Sequence, residues 1–171
     1  MNEIQNIVFE ELEDLRKRII TNIGSTGRRA SGRTADSMHT EITKQGGTLF
    51  GRAAFGTLET GRKPGNVPYN FTKIIAQWIQ DKGISYQEIS YKRNPSDKWQ
   101  PKYNSPNERG LMTLASAIAY KISKEGTKLY IQGGESDIYS NEIPKTIDAI
   151  KKRIGLSVKT EIVESIKINK K

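Results

Sequence analysis

His39 is the single histidine in the 171 residues, and there is no cysteine. A histidine acting as general base needs a nucleophile and an orienting carboxylate within reach. Ser37 and Glu41 flank it at two-residue spacing, so on a strand all three side chains share a face. No loop able to hold an oxyanion accompanies them, and the expectation is a histidine at an edge or facing solvent. The missing cysteines remove disulfides, thiolate nucleophiles and Cys-ligated zinc or iron–sulfur sites. The lone histidine removes any multi-histidine metal site.

The glycines are the next chemical candidate. Gly51 and Gly56 have the gap of a phosphate-binding loop, but Thr57 stands where that loop needs lysine. Gly56 and Gly61 repeat the gap and are followed by Arg62-Lys63, then by Pro64 and Gly65, which disfavour the helix start such a loop requires. The carboxylate pairs Asp36/Glu41 and Glu59/Glu88 do no better: a metal-dependent nuclease needs several converging acids, and residues 24–68 contain three. The expectation is a protein with no catalytic set, no cofactor and no metal, and so not an enzyme.

Charge and aromatic content point toward partners instead. There are 28 basic and 19 acidic side chains, a net +9. Residues 1–23 sum to −2 and residues 24–68 to +4, the densest basic stretch. Within it Arg28, Arg29 and Arg33 lie among glycines and serines, and Arg62 and Lys63 add to them as candidate contacts to DNA phosphates or to an acidic protein neighbour, two readings the residues leave even. Tyr86, Tyr91, Trp99, Tyr103, Tyr130 and Tyr139 fall in or near loops. Trp99 and Tyr103, in a proline-rich stretch with Lys98 and Lys102, suit an interface anchor better than a base-stacking surface.

The elements that must position these residues follow from periodicity. Ile4, Ile7, Val8, Leu12, Leu15, Ile19, Ile20 and Ile23 recur at three- and four-residue steps, which predicts a helix over 2–23 ended by Gly24. Residues 24–32 read as a flexible basic loop. MHTEITKQ and TLFGRAAFG alternate on either side of Gly46-Gly47, which predicts a hairpin turning at those glycines. Gly51, Gly56, Gly61 and Gly65 then suggest bulges or close backbone approach. Phe71, Ile74, Ile75, Trp78 and Ile79 share a helical face stopped by Gly83. Residues 84–108 are a polar insertion, and Leu111 to Ile122 make a small-residue-rich helix ending at Gly126.

TKLYIQGG reads as a short strand and residues 141–154 as a helix with Pro144 in its first turn. From Leu156 to Ile168 apolar residues alternate, favouring a strand, although Ile154, Val158, Ile162 and Ile166 also fit a helix at four-residue spacing. Together these predict one α+β domain over 1–171: a mostly antiparallel sheet with the N-terminal helix and further helices packed on one face. No apolar run reaches ten residues, so no membrane span or secretory signal is expected and the chain reads as soluble and intracellularly made.

The stretch SGRTADSMHTEI…GGTLFGRAAFGTLETGRKPG resembles the neck and tail-completion proteins of tailed bacteriophages, the head-tail connector family. The shared pieces are a small-Gly-Arg turn running from Ser31-Gly32-Arg33 to Ser37, the hairpin, and an acidic turn at Glu59-Thr60-Gly61. The continuation PYNFTKIIAQWIQDKGIS, AIAYKISKEGT and DIYSNEI looks most like the variants of crAss-like gut phages. Similarity covers roughly residues 1–150 and departs from the family in the 84–108 insertion and after Gly155. The resemblance implies a non-enzymatic virion protein that forms a homo-oligomeric ring between portal protein and tail, in contact with other neck and tail rings. Packaged DNA would pass through its lumen. It implies assembly in the host cytoplasm and no membrane partner; a tail terminator is the near alternative. Ring contacts would come from Phe50, Phe55, Leu58 and the insertion that holds Trp99 and Tyr103. The 24–32 loop would reach an adjacent ring or DNA. The reading outside this family is a free, non-sequence-specific nucleic-acid-binding module.

Overall fold

The computed structural model describes residues 2–92, 98, 102–103, 105–135 and 137–168. It divides into two compact units, one formed by Met1–Thr60 with Glu135–Lys171 and the other by Gly61–Gly134.

In the first unit, helix α1 spans Glu3–Ser25. Asn2 caps it, its side chain accepting from the Gln5 backbone N–H while the Gln5 side chain answers the Asn2 N–H, so two orphan donors are satisfied reciprocally. The face predicted as apolar is the buried one: Ile7, Leu15, Ile19 and Ile23. A short helix α2 (Arg33–Asp36) leads to strands β1 (His39–Thr43) and β2 (Gly46–Phe50), paired antiparallel with His39 opposite Phe50 and Thr43 opposite Gly46. The hairpin therefore turns at Lys44-Gln45, and both glycines lie inside β2. The reason is steric: a Cβ on Gly47 would stand 2.5–2.8 Å from Leu12 Cδ1, Val8 Cγ1 and Ile42 Cδ1, so only glycine lets β2 press onto α1.

A single 3₁₀ turn (Ala53–Gly56) and helix α3 (Thr57–Thr60) follow. The unit's core joins Leu15, Ile19 and Ile23 to Met38 and Ile138, with Leu12, Ile20, Leu49, Phe55, Leu58 and Tyr139 packed around them.

In the second unit, helix α4 (Phe71–Asp81) packs on helix α5 (Pro106–Glu125). Ile75, Ala76 and Ile79 meet Leu111, Ala115 and Ala119, and the two alanines of α5 are the small residues that admit the neighbouring helix. Ser105 caps α5 through its Oγ and Pro106 occupies its first turn, so the helix begins inside the segment read as insertion. Gly110 sits against the carbonyl of Gln87, so residues 84–89 lie along the start of α5.

The protein is mixed helix and sheet, but 61% of the described residues are helical and the described sheet has two strands, so a mostly sheet fold is not what forms. Two expected strands are helices. TKLYIQGG contains helix α6 (Lys128–Ile131), whose capping residue Thr127 accepts from the Tyr130 N–H and which Gly133 and Gly134 end at φ 89° and 77°. The tail is the second half of helix α7 (Glu142–Ile168). Where periods of two and four coexist in one segment, backbone hydrogen bonding decides. A strand without a partner strand would leave its N–H and C=O groups unpaired, whereas a helix satisfies its own. Of the four glycines suspected of close approach, Gly61 fits: at φ 69°, a Cβ there would collide with the backbone nitrogen of Tyr130.

Helix α7 runs antiparallel to α1. Arg18 reaches Glu142 at 2.9 Å and Thr146 at 2.7 Å, and Arg153 reaches Glu11 at 2.9 Å and Glu10 at 2.5 Å. At equal rise along both helices, Glu3 stands opposite about residue 161, so the last turns of α7 run past the start of α1.

Candidate functional site

The most tightly built polar site is Glu59, in α3, only 3% exposed. Its Oε1 accepts the backbone N–H groups of Ile138 (3.0 Å), Tyr139 (2.5 Å) and Ser140 (2.9 Å), and its Oε2 accepts the Ser140 hydroxyl at 2.5 Å. The Glu59 carbonyl also accepts the Glu135 N–H at 3.0 Å. Burial works to raise the carboxyl pKa, but the Ser140 hydroxyl and the three backbone donors outweigh it and hold the group below the ordinary glutamate range. Burial, with the Glu59 charge beside it, raises the Tyr139 phenol. The Glu59 carboxylate thus staples residues 138–140 to α3, its carbonyl holds Glu135, and Ile138 is seated, fully buried, in the core. The sequence marked Glu59-Thr60-Gly61 and DIYSNEI as separate pieces; the fold joins them at this carboxylate. A lone acid beside a turn glycine carries no signal of its distant partner, so sequence reasoning missed the pairing.

His39 faces solvent, its Nε2 3.3 Å from Glu41 and its ring stacked on Phe50 at 5.4 Å. Glu41 shares its outward face as the spacing predicted, and the Ser37 hydroxyl turns instead to the Thr34 carbonyl. Among the described residues, no three acidic or histidine side chains gather as metal ligands.

The predicted basic residues fall on both units. In the first, Arg28 is only 17% exposed and forms ion pairs with Glu135 and, at 2.9 Å, Asp137, so its guanidinium belongs to the same stapled segment. Arg29 is exposed, and the Arg33 Nε donates to Ser31 Oγ at 2.9 Å. In the second, the Arg62 guanidinium lies over the Phe71 ring at 5.4 Å and donates to the Asn66 carbonyl at 2.5 Å, which shapes the 62–66 turn, while Lys63 is exposed.

The predicted contact residues also separate. Phe50 is exposed at the end of β2. Phe55 stacks on Tyr139 at 4.8 Å and Leu58 packs against the same core, so both spend surface within their own unit. Tyr103 is half-buried, its carbonyl accepting from Arg109 Nη1 at 2.9 Å, and Trp99 lies outside the described residues.

An uncovered apolar feature lies along α7. Its face toward α1 is polar at Thr146 and Arg153, while Ile143, Ile147, Val158, Ile162 and Ile166 are exposed. Ile150 and Ile154 fill the row between them, half-buried. Four-residue steps exceed one helical turn, so the row slides gradually round the helix. No helix among the described residues is long and apolar enough to cross a membrane.

Comparison of the chain with protein-family models, with curated proteins and with solved structures returns no match.

Proposed function

We propose that this chain is a structural subunit that joins further copies of itself in a ring at the neck of a tailed-bacteriophage particle, at the portal-to-tail joint, with DNA passing through the lumen. The observation that carries the reading is the exposed apolar surface of α7: the row Ile143, Ile147, Val158, Ile162 and Ile166, with Leu156 and Val163 also exposed on the same helix. An isolated soluble chain rarely leaves so long a row in water, and a second copy removes it from solvent. A ring closes through heterologous contacts, in which this surface meets a different one on the neighbour, and Phe50 with its stacked His39 offers a second exposed patch. The resemblance supplies the location: two of its pieces, ETG and DIYSNEI, are the two ends of the Glu59 staple. A tail-completion ring uses the same kind of contacts. The free nucleic-acid module built on the arginine loop is disfavoured by Arg28, whose charge is already met by Glu135 and Asp137.

The test is the assembled mass of the purified chain, by light scattering and negative-stain microscopy, alone and mixed with portal protein. Rings are expected, and Ile162→Lys with Ile166→Lys should return them to monomers of unchanged helicity. A wild-type chain that stays monomeric in both settings overturns the proposal.

A further inference from the structure

We propose that the second unit carries a binding surface for the phosphate backbone of nucleic acid, formed by Lys63, Lys124 and Lys128 with Tyr120 and Tyr130. The charge is distributed unevenly: Gly61–Gly134 accounts for +7 of the net +9, and the other unit for +2. The three lysines gather around one turn. The Thr127 N–H donates to the Arg62 carbonyl at 2.9 Å, the Arg62 N–H to Thr127 Oγ1 at 2.9 Å, and the Gly65 N–H to the Ser123 carbonyl at 2.9 Å. These bonds lay residues 62–65 along residues 123–127, which places Lys63 beside the stretch that Lys124 and Lys128 bracket. Gly126 permits this packing at φ 85°, where a Cβ would press on the Arg62 carbonyl at 2.7 Å and on Pro64.

All three lysines are exposed, and none takes part in an ion pair among the described residues. The carboxyl end of α5 draws cations to itself, but it amounts to about half a charge, and the Ile122 and Ser123 carbonyls there are already met by the Gly126 and Gly65 N–H groups. Three ammonium groups therefore exceed what the helix end neutralises. Tyr120, 66% exposed with the Lys124 ammonium 5.8 Å above its ring, and Tyr130, 44% exposed, add hydroxyls and open ring faces. Mobile point-charge donors suit phosphate, which they meet without a fixed geometry. Flanking tyrosines supply hydrogen bonds to phosphate and stacking area that carry no sequence preference. This surface goes beyond the ring reading: it stands on the second unit alone and is tested separately from assembled mass.

The experiment measures binding of the full-length chain to a labelled random-sequence duplex across a salt series. Each lysine seated on a phosphate contributes about 0.9 to the slope of log affinity against log salt, so Lys63→Gln/Lys124→Gln/Lys128→Gln should flatten it by between about 2 and 3. A matched triple on α7, Lys151→Gln/Lys152→Gln/Lys159→Gln, removes equal charge from exposed positions of the other unit and should leave the slope as in wild type. Circular dichroism confirms that both triples fold. An unchanged slope in the first triple, an equal loss in the second, or polyglutamate competing as well as duplex each overturns the proposal. So does binding to anionic vesicles without binding to duplex.

Discussion

Each of the two units owes its internal cohesion to different forces. Gly61–Gly134 is organised by apolar packing of α4 on α5, where Ile79 and Ala115 are fully buried and the Lys121–Glu125 pair, at 3.9 Å and exposed, adds little. The other unit has an apolar core too, but its long-range order depends on polar staples: Glu59 on residues 138–140, Arg28 on Glu135 and Asp137, and Arg18 and Arg153 across α1 and α7. Apolar packing is broadly tolerant of change and insensitive to pH. A buried carboxylate with four donors is neither, because removing it orphans every donor at once. The unit with the staples is also the one that leaves an apolar row open on α7, and the apolar-packed unit is the one that carries the excess charge.

Glu59→Ala offers the strongest way to break this contrast. It leaves three backbone N–H groups and a hydroxyl without an acceptor, and should destabilise residues 1–60 and 135–168 by about 3 kcal/mol. Peptide-resolved hydrogen exchange should show that loss while α4 and α5 keep their protection. Equal loss in both units would abolish the distinction. Acid should act on the same unit. The Glu59 pKa is lowered by folding, so its contribution is fully present above the ordinary glutamate value of about 4.3 and is lost as pH falls through the folded value. The stability gap between wild type and Glu59→Gln should be flat above about pH 5 and close below about pH 4.

Ala115→Leu tests the other side. Ala115 is fully buried between α4 and α5, and overpacking there should cost about 2 kcal/mol, read as faster exchange in those helices with α1 unchanged. The smallest effect belongs to His39→Ala: with an exposed ring on a solvent-facing strand position, it should shift the thermal midpoint by less than about 0.5 kcal/mol equivalent.

Much of this was legible in the residues. The 3.6-residue period marked α1 and α4, and their stops fell within two residues of the glycines that signalled them. The alanines of α5 announced a close neighbour. The tail was legible in both senses, since the isoleucines at four-residue spacing were as visible as the alternation. What misled was the assumption that TKLYIQGG and the tail would find strands to pair with. The glycines at 46 and 47 misled similarly: glycine marks a turn or a close approach, and only the position of Val8 and Leu12 distinguishes them. Of the basic residues, Arg28 stood out by composition, yet its charge is cancelled by acids more than a hundred positions away.

By itself the sequence determined which segments are amphipathic, where α1 and α4 begin and stop, that thiol and multi-histidine chemistry is excluded, and that the chain is basic. These are local properties, set by side-chain spacing and count. Tertiary structure decided which charges remain available and which apolar faces remain open. Those depend on partners distant in the chain: a glutamate on three backbone donors, an arginine on two acids, a polar face of α7 turned to α1 and an apolar one left to water. Burial and pairing are pairwise properties across the fold, and no single stretch of residues contains them.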